Sequence, residues 1–165
     1  MRDIQIGILG CGVVGTGVAK LLIDNKELIR ARLGADLKLA KVADIDSRDR
    51  GIRFEPGVFI NDAWQIVNDP NIDIVVETIG GQGIAKELML KAIGNGKAVV
   101  TANKALLAMQ GNTLFKLADE KGVVMNVKVA LPREKPSLTT VREIYGGCVF
   151  YERELKDMFG IDVKG

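Results

Sequence analysis

Three glycines near the amino terminus, Gly10, Gly12 and Gly15 in "GILGCGVVGTG", are spaced G-x-G-x-x-G behind the apolar run "DIQIGIL". Further along, "KVADIDSRDRG" supplies Asp44 and Asp46, "ETIGG" supplies Thr78 and Gly80, and "VVTANKALLA" supplies Asn103 and Lys104. A glycine run of this spacing has a mechanism where it ends a strand and opens a helix. The first glycine permits a tight turn, the second lets backbone approach a diphosphate with no Cβ in the way, and the third lets helix and strand pack closely. The unpaired N–H groups and the positive dipole end of the helix then meet the phosphates. The backbone of Gly10, Cys11, Gly12, Val13, Val14 and Gly15 is therefore the expected cradle for a dinucleotide. A plain strand-to-helix turn with no ligand uses the same glycines, and only the surrounding strand and helix weigh against it.

The other residues fall where such a ligand would extend. Asp44 or Asp46 can take the ribose hydroxyls of an adenosine, and a carboxylate there repels a 2′-phosphate. This favours NAD, while Arg48 and Arg50 in the same loop keep NADP open. Thr78 and Gly80 are placed to line the nicotinamide side. Lys104 begins a helix, where like charge meets the positive dipole end, which suits it to proton transfer or to gripping a carboxylate. A solvated surface lysine is the competing reading, as charged loop residues facing water are for Asp44 and Asp46. Cys11 reads as a small filler, since no base stands beside it.

Composition narrows the chemistry further. The 165 residues allow one ordinary domain with an appendage, and 47% hydrophobic with 27% charged residues is ordinary for a globular chain. Net charge is +2 with no basic stripe, so nucleic acid is not an expected partner. No apolar run is long enough for membrane insertion, and "MRDIQIGILG" lacks the features of a signal peptide, so a cytoplasmic address is expected. Histidine is absent and the two cysteines, Cys11 and Cys148, make neither a disulfide framework nor a metal site. Proton transfer falls to Lys, Asp, Glu, Tyr or Cys.

Short β-branched runs alternate with longer amphipathic stretches. Strands are expected at 4–9, 37–43, 57–60, 72–77, 97–101 and 123–129, and helices at 13–32, 62–68, 82–94 and 104–120. The alternation predicts an α/β fold, a Rossmann-like doubly wound parallel sheet over residues 1–130. "LPREKPSLTT", with Pro132 and Pro136, reads as a linker, and one helix is expected at about 149–159. Residues 131–165 thus form a linker and a separate C-terminal segment.

Taken together, "IGILGCGVVGTGVAKLL", "DRG", "IDIVVETIGG", "GKAVVTANKALLA" and "LADEKGV" resemble the amino-terminal NAD(P)-binding domain of the homoserine dehydrogenases over residues 3–126. The resemblance implies hydride transfer between homoserine and aspartate 4-semialdehyde. It implies pyrophosphate at Gly10, Gly12 and Gly15, nicotinamide beside Thr78 and Gly80, and Asn103 and Lys104 facing the reacting end. Lys104 would be the catalytic residue, acting on a small amino-acid substrate. After residue 126 "VKVALPREKPSLTT" departs from the family's continuation, and its second catalytic lysine and substrate-binding acids have no counterparts. A hydride acceptor must be held about 3–3.5 Å away in line, so the chain reads as catalytically incomplete, truncated or chimeric.

The tail "PSLTTVREIYGGCVFYERELKDMFGI" is similar to the end of the 30-kDa-type subunit of NADH:quinone oxidoreductases and energy-converting hydrogenases. Tyr151, Glu152, Arg153, Glu154, Asp157, Phe159 and Gly160 carry that likeness. It implies a cofactor-free segment that docks to a redox complex; assembly into a homo-oligomer is the alternative association. Without the family pattern the same residues read as an amphipathic helix with Phe150, Leu155 and Phe159 facing inward. The seam between the two likenesses falls near 127–135.

Overall fold

The structure, a computed structural model, describes residues 3–127, 137–139 and 162–164. The β-branched runs form parallel strands, and the segments between them cross over as helices. In chain order the elements are β1 (Asp3–Leu9), α1 (Val13–Asp24), α2 (Lys26–Leu33), β2 (Asp36–Ala43), β3 (Phe59–Ile60) and α3 (Trp64–Asn68). They continue with β4 (Ile74–Glu77), α4 (Gly83–Gly94), β5 (Ala98–Thr101), α5 (Lys104–Lys121) and β6 (Met125–Val127). Six strands make one sheet in the order β3-β2-β1-β4-β5-β6, and every neighbouring pair is parallel. This is the doubly wound arrangement that the alternating pattern predicts.

Strand residues alternate between two apolar layers, because successive side chains point to opposite faces. Ile6, Ile8, Val42 and Val76 join Ala19 and Leu22 of α1 on one face. Leu9, Val75 and Val99 join Leu88, Met89, Leu106 and Leu114 of α4 and α5 on the other. Most of these side chains are fully buried, and both faces of the sheet are covered, as a parallel sheet requires.

Three expectations are corrected. The helix expected over 13–32 is two helices, broken at Asn25, whose φ of −110° and ψ of 18° leave the helical region. Its side-chain amide donates to Leu21 O at 3.3 Å, the competition with backbone bonding that makes Asn a poor interior helix residue. The stretch read as a linker contains a strand, β7 (Ser137–Thr139), which pairs in parallel with β8 (Asp162–Lys164) in a separate two-stranded sheet. The last strand of the large sheet begins at Met125, two residues later than expected. The helix expected at 149–159 lies outside the described residues, as do the tail residues that carried its resemblance. The chain divides into two units, Met1–Lys128 and Val129–Gly165. Among the described residues no helix is long and apolar enough to cross a membrane.

Candidate functional site

In the large sheet β1 lies between β2 and β4, so chain order reverses between β1 and β4. A crevice opens at the carboxyl ends of the strands at such a reversal. Gly10 leaves β1 with φ +91°, a conformation open to glycine, and its N–H donates to Ala43 O at 2.8 Å. The Thr78 hydroxyl, just beyond β4, points at Leu9 O (3.0 Å) and Gly10 O (2.7 Å). A Cβ on Gly15 would lie 2.0 Å from Gly10 O and 2.7 Å from Thr78 Oγ1. The first turn of α1 is thus pressed onto the exits of β1 and β4.

Gly12 is different. A Cβ there would meet nothing within 4 Å. Gly12 is the N-cap of α1 and brings no side-chain cap, and the first helical bond is from Thr16 N–H to Gly12 O at 2.9 Å. The N–H groups of Val13, Val14 and Gly15 precede that bond, beneath open space. An anion fits here: donors, dipole and access coincide. Val13 and Val14 are exposed while Cys11 is buried, its thiol 3.7 Å from Thr16 Oγ1.

Asp44 stands at the tip of β2 with both carboxylate oxygens engaged. Oδ2 accepts the Cys11 N–H at 2.5 Å and lies 3.5 Å from Arg50 Nη2, and Oδ1 accepts the Asp46 N–H at 2.9 Å. Beside it Ile45 is 94% exposed, an apolar side chain next to Asp44 that sequence reasoning passed over. Its signal was there: an isoleucine between two aspartates in a loop has no core to enter.

Thr78 to Gly81 and Thr101 to Lys104 are joined by a residue missing from the sequence-based site. Glu77, the last residue of β4, is fully buried. Its Oε1 accepts the Gly80 N–H at 3.0 Å and its Oε2 accepts the Thr101 hydroxyl at 2.6 Å. Thr101 Oγ1 in turn accepts the Asn103 N–H at 3.0 Å. Asn103 caps α5 by accepting the Leu106 N–H at 3.1 Å, and its amide donates to Gly81 O at 2.7 Å. The Asn103 side chain is therefore spent on holding two loops together. Lys104, one residue on, is exposed at the start of α5. The structure brings Thr78, Gly80, Asn103 and Lys104 to one edge, with Glu77 beneath them.

A cleft of about 750 Å³ opens at the opposite edge, among Ile4, Asp73, Ile74, Lys97, Ala98 and Gly122 at the amino ends of the strands. Burial pushes the Lys97 ammonium below its usual range. It donates to Asp69 O and, at 2.8 Å, to Ile72 O. Lys97 fastens the turn before β4, and the cleft lacks the uncapped helix terminus of the carboxyl edge.

A family profile described as "Homoserine dehydrogenase, NAD binding domain" matches residues 10–128. The chain belongs to the homoserine dehydrogenase family. Its cofactor is accordingly NAD or NADP. The homoserine dehydrogenases of Neisseria gonorrhoeae and Methylobacillus glycogenes are 41% and 42% identical to it over 143 and 144 residues, 87% of this chain in each case. The likeness therefore runs past residue 126, further than the quoted motifs reach. The chain spans 33% and 35% of the lengths of those relatives, about a third. Among solved structures, homoserine dehydrogenase of S. aureus at pH 8.5 superposes with a TM-score of 0.73 at 34% identity, covering 79% of this chain and 34% of that one. That of Thiobacillus denitrificans gives 0.70 at 41% identity, covering 77% and 30%. A second profile, "Respiratory-chain NADH dehydrogenase, 30 Kd subunit", matches residues 95–165 and overlaps the homoserine dehydrogenase profile from residue 95 to 128.

Proposed function

We propose that residues 1–130 form a domain that binds NAD or NADP along the carboxyl edge of the sheet, in the service of hydride transfer between homoserine and aspartate 4-semialdehyde. The observation that carries this is the uncapped first turn of α1, open above Gly12 and locked below through Gly10 and Gly15. In this reading the backbone of Gly10, Cys11, Gly12, Val13, Val14 and Gly15 takes the pyrophosphate, and Asp44 stands at the adenosine end. Thr78 and Gly80 border the nicotinamide. Asn103 fixes the start of α5, so that Lys104 is held at the reacting end, where its ammonium can grip a substrate carboxylate or pass a proton. The bound nicotinamide supplies the hydride chemistry.

Calorimetric titration of the chain with NADH and NADPH is expected to show one site, with a dissociation constant of about 1 μM to 1 mM. A flat titration with both removes the proposal. The same chain, given homoserine and NAD or NADP, is expected to show no reduction above background, because it spans about a third of the length of the relatives it matches. Homoserine-dependent reduction would overturn that part.

The match of residues 95–165 to the respiratory 30 Kd subunit supports a second reading, in which residues 131–165 dock the chain to a quinone oxidoreductase or hydrogenase. Co-purification of such subunits with the tagged chain, lost on deletion of 136–165, is the expected result. Unchanged recovery after the deletion removes this reading.

A further inference from the structure

We propose that Glu77 sets the charge of the cofactor edge: its buried carboxylate, balanced by no cation of the chain, favours the oxidised dinucleotide over the reduced one. The inference rests on the dinucleotide reading above and adds to it a preference for redox state. Glu77 is fully buried at the end of β4. Two other sheltered carboxylates each meet a guanidinium. The Asp44 side chain, 15% exposed, lies 3.5 Å from Arg50 Nη2, and that of Asp36, 16% exposed, lies 3.7 Å from Arg30 Nε. Among the described residues no lysine or arginine forms an ion pair with Glu77.

Its partners are neutral donors, and the hydrogens of the network all run toward it. The Asn103 N–H points to Thr101 Oγ1, the Thr101 hydroxyl to Oε2 and the Gly80 N–H to Oε1. Both oxygens accept, the pattern of an ionised carboxylate, and donors in series polarise one another. Tying the two loops together does not by itself need a charge, since a glutamine amide has the same size and can meet the same partners. A buried charge without a counter-ion is costly to a fold, and such groups gather at functional sites. The balance available here is the nicotinamide ring, which is positively charged when oxidised and neutral when reduced. Glu77 holds the N–H of Gly80 and precedes Thr78, the two residues that border that ring in the proposed site. Lys104 at the same edge is exposed, so water screens its charge, whereas the field of Glu77 acts through protein interior. A fixed charge close to the ring is one way in which a protein tunes a bound cofactor. For a unit charge acting through a partly screened interior, the ratio of oxidised to reduced affinity is expected to change by about five-fold. For a two-electron couple that makes the potential of the bound pair about 20 mV more negative.

The test is calorimetry with NAD⁺, NADH, NADP⁺ and NADPH, and with ADP-ribose, which has no nicotinamide. Each chain is characterised by the ratio of its affinities for the oxidised and reduced forms of one cofactor, so that a general weakening cancels. Glu77→Gln is expected to weaken the oxidised form about five-fold and to leave the reduced form and ADP-ribose within about two-fold. Glu77→Asp keeps the charge on a shorter arm, and is expected to hold the native ratio within about two-fold even where absolute affinity falls. Thermal melts show that each variant is folded at the titration temperature. An unchanged ratio in Glu77→Gln overturns the inference, because the carboxylate then serves the loops alone. A shifted ratio in Glu77→Asp also overturns it, and this second variant decides if the first fails to fold. If no dinucleotide binds the native chain, the dinucleotide reading falls and this inference with it. If every form binds and only the ratio stays unmoved in Glu77→Gln, that reading stands and this inference alone fails.

Discussion

Gly12→Val is expected to abolish dinucleotide binding, with affinity lowered at least about 100-fold, while the thermal midpoint moves by no more than a few degrees. The two halves of this result have separate causes. The isopropyl group enters space that no protein atom occupies within 4 Å of the Cβ position, at an ordinary φ of −70°, so the fold bears little strain. Glycine is a good N-cap and valine a poor one, so about 1 kcal/mol of helix stability is lost, which moves the midpoint of a domain this size by only a few degrees. The same space is the approach to the Val13, Val14 and Gly15 N–H groups, which a diphosphate must reach. Gly15→Ala, three residues along the chain, should behave in the opposite way. Its methyl would sit 2.0 Å from Gly10 O, a backbone atom that cannot swing aside. The helix must then lift off the sheet, and a stability loss of about 2–4 kcal/mol is expected, as for overpacking with backbone displacement. Urea denaturation separates the two variants. A Gly12→Val chain that still binds NADH or NADPH would move the pyrophosphate site elsewhere.

Glu77→Leu is expected to cost about 2–4 kcal/mol of stability and to weaken the cofactor edge as well. The carboxylate is fully buried and accepts from the Gly80 N–H and the Thr101 hydroxyl. Leucine leaves both donors without their acceptor, each at a penalty of about 1–3 kcal/mol. Glu77→Gln keeps the volume and one carbonyl oxygen, so it can still accept from Gly80 and donate its amide to Thr101 Oγ1. The expected cost is about 1 kcal/mol, with cofactor affinity retained to within a few-fold. Denaturation measured with and without saturating NADPH reads both effects. If Leu and Gln prove equally harmless, Glu77 does not hold the 78–81 and 101–104 loops in register.

Much of the scaffold is legible in the residues themselves. "IDIVVE" and "KAVVT" are too short for helices and too apolar for surface strands, so parallel strands under helices follow. The glycine spacing is legible for the same reason: each glycine answers a local demand of turn, approach or packing. What escaped was decided by partners distant in sequence. Glu77 looks like a charged strand end meeting water, and only the arrival of Thr101, 24 residues later, gives it a buried acceptor's role. Arg50 reads as a possible phosphate ligand, yet Asp44 and two backbone carbonyls hold it in place. Asn25 interrupts an otherwise periodic helix because its amide finds Leu21 O, a choice that periodicity does not register. Ser137–Thr139 sits just after Pro136, whose turn signal masks a strand that pairs with residues 162–164.

The lock between Gly10 and Thr78 spans 68 residues of chain. A ribosome adding about 5–20 residues per second emits the glycine loop several seconds before the threonine that secures it. During that interval the first strand and helix have no β4 beside them, and closing so long a loop costs entropy before any contact repays it. The cradle is therefore a late product of synthesis. Nucleotide in the cell can stabilise this domain only once its middle third has emerged, and a nascent chain stalled earlier has nothing with which to capture it.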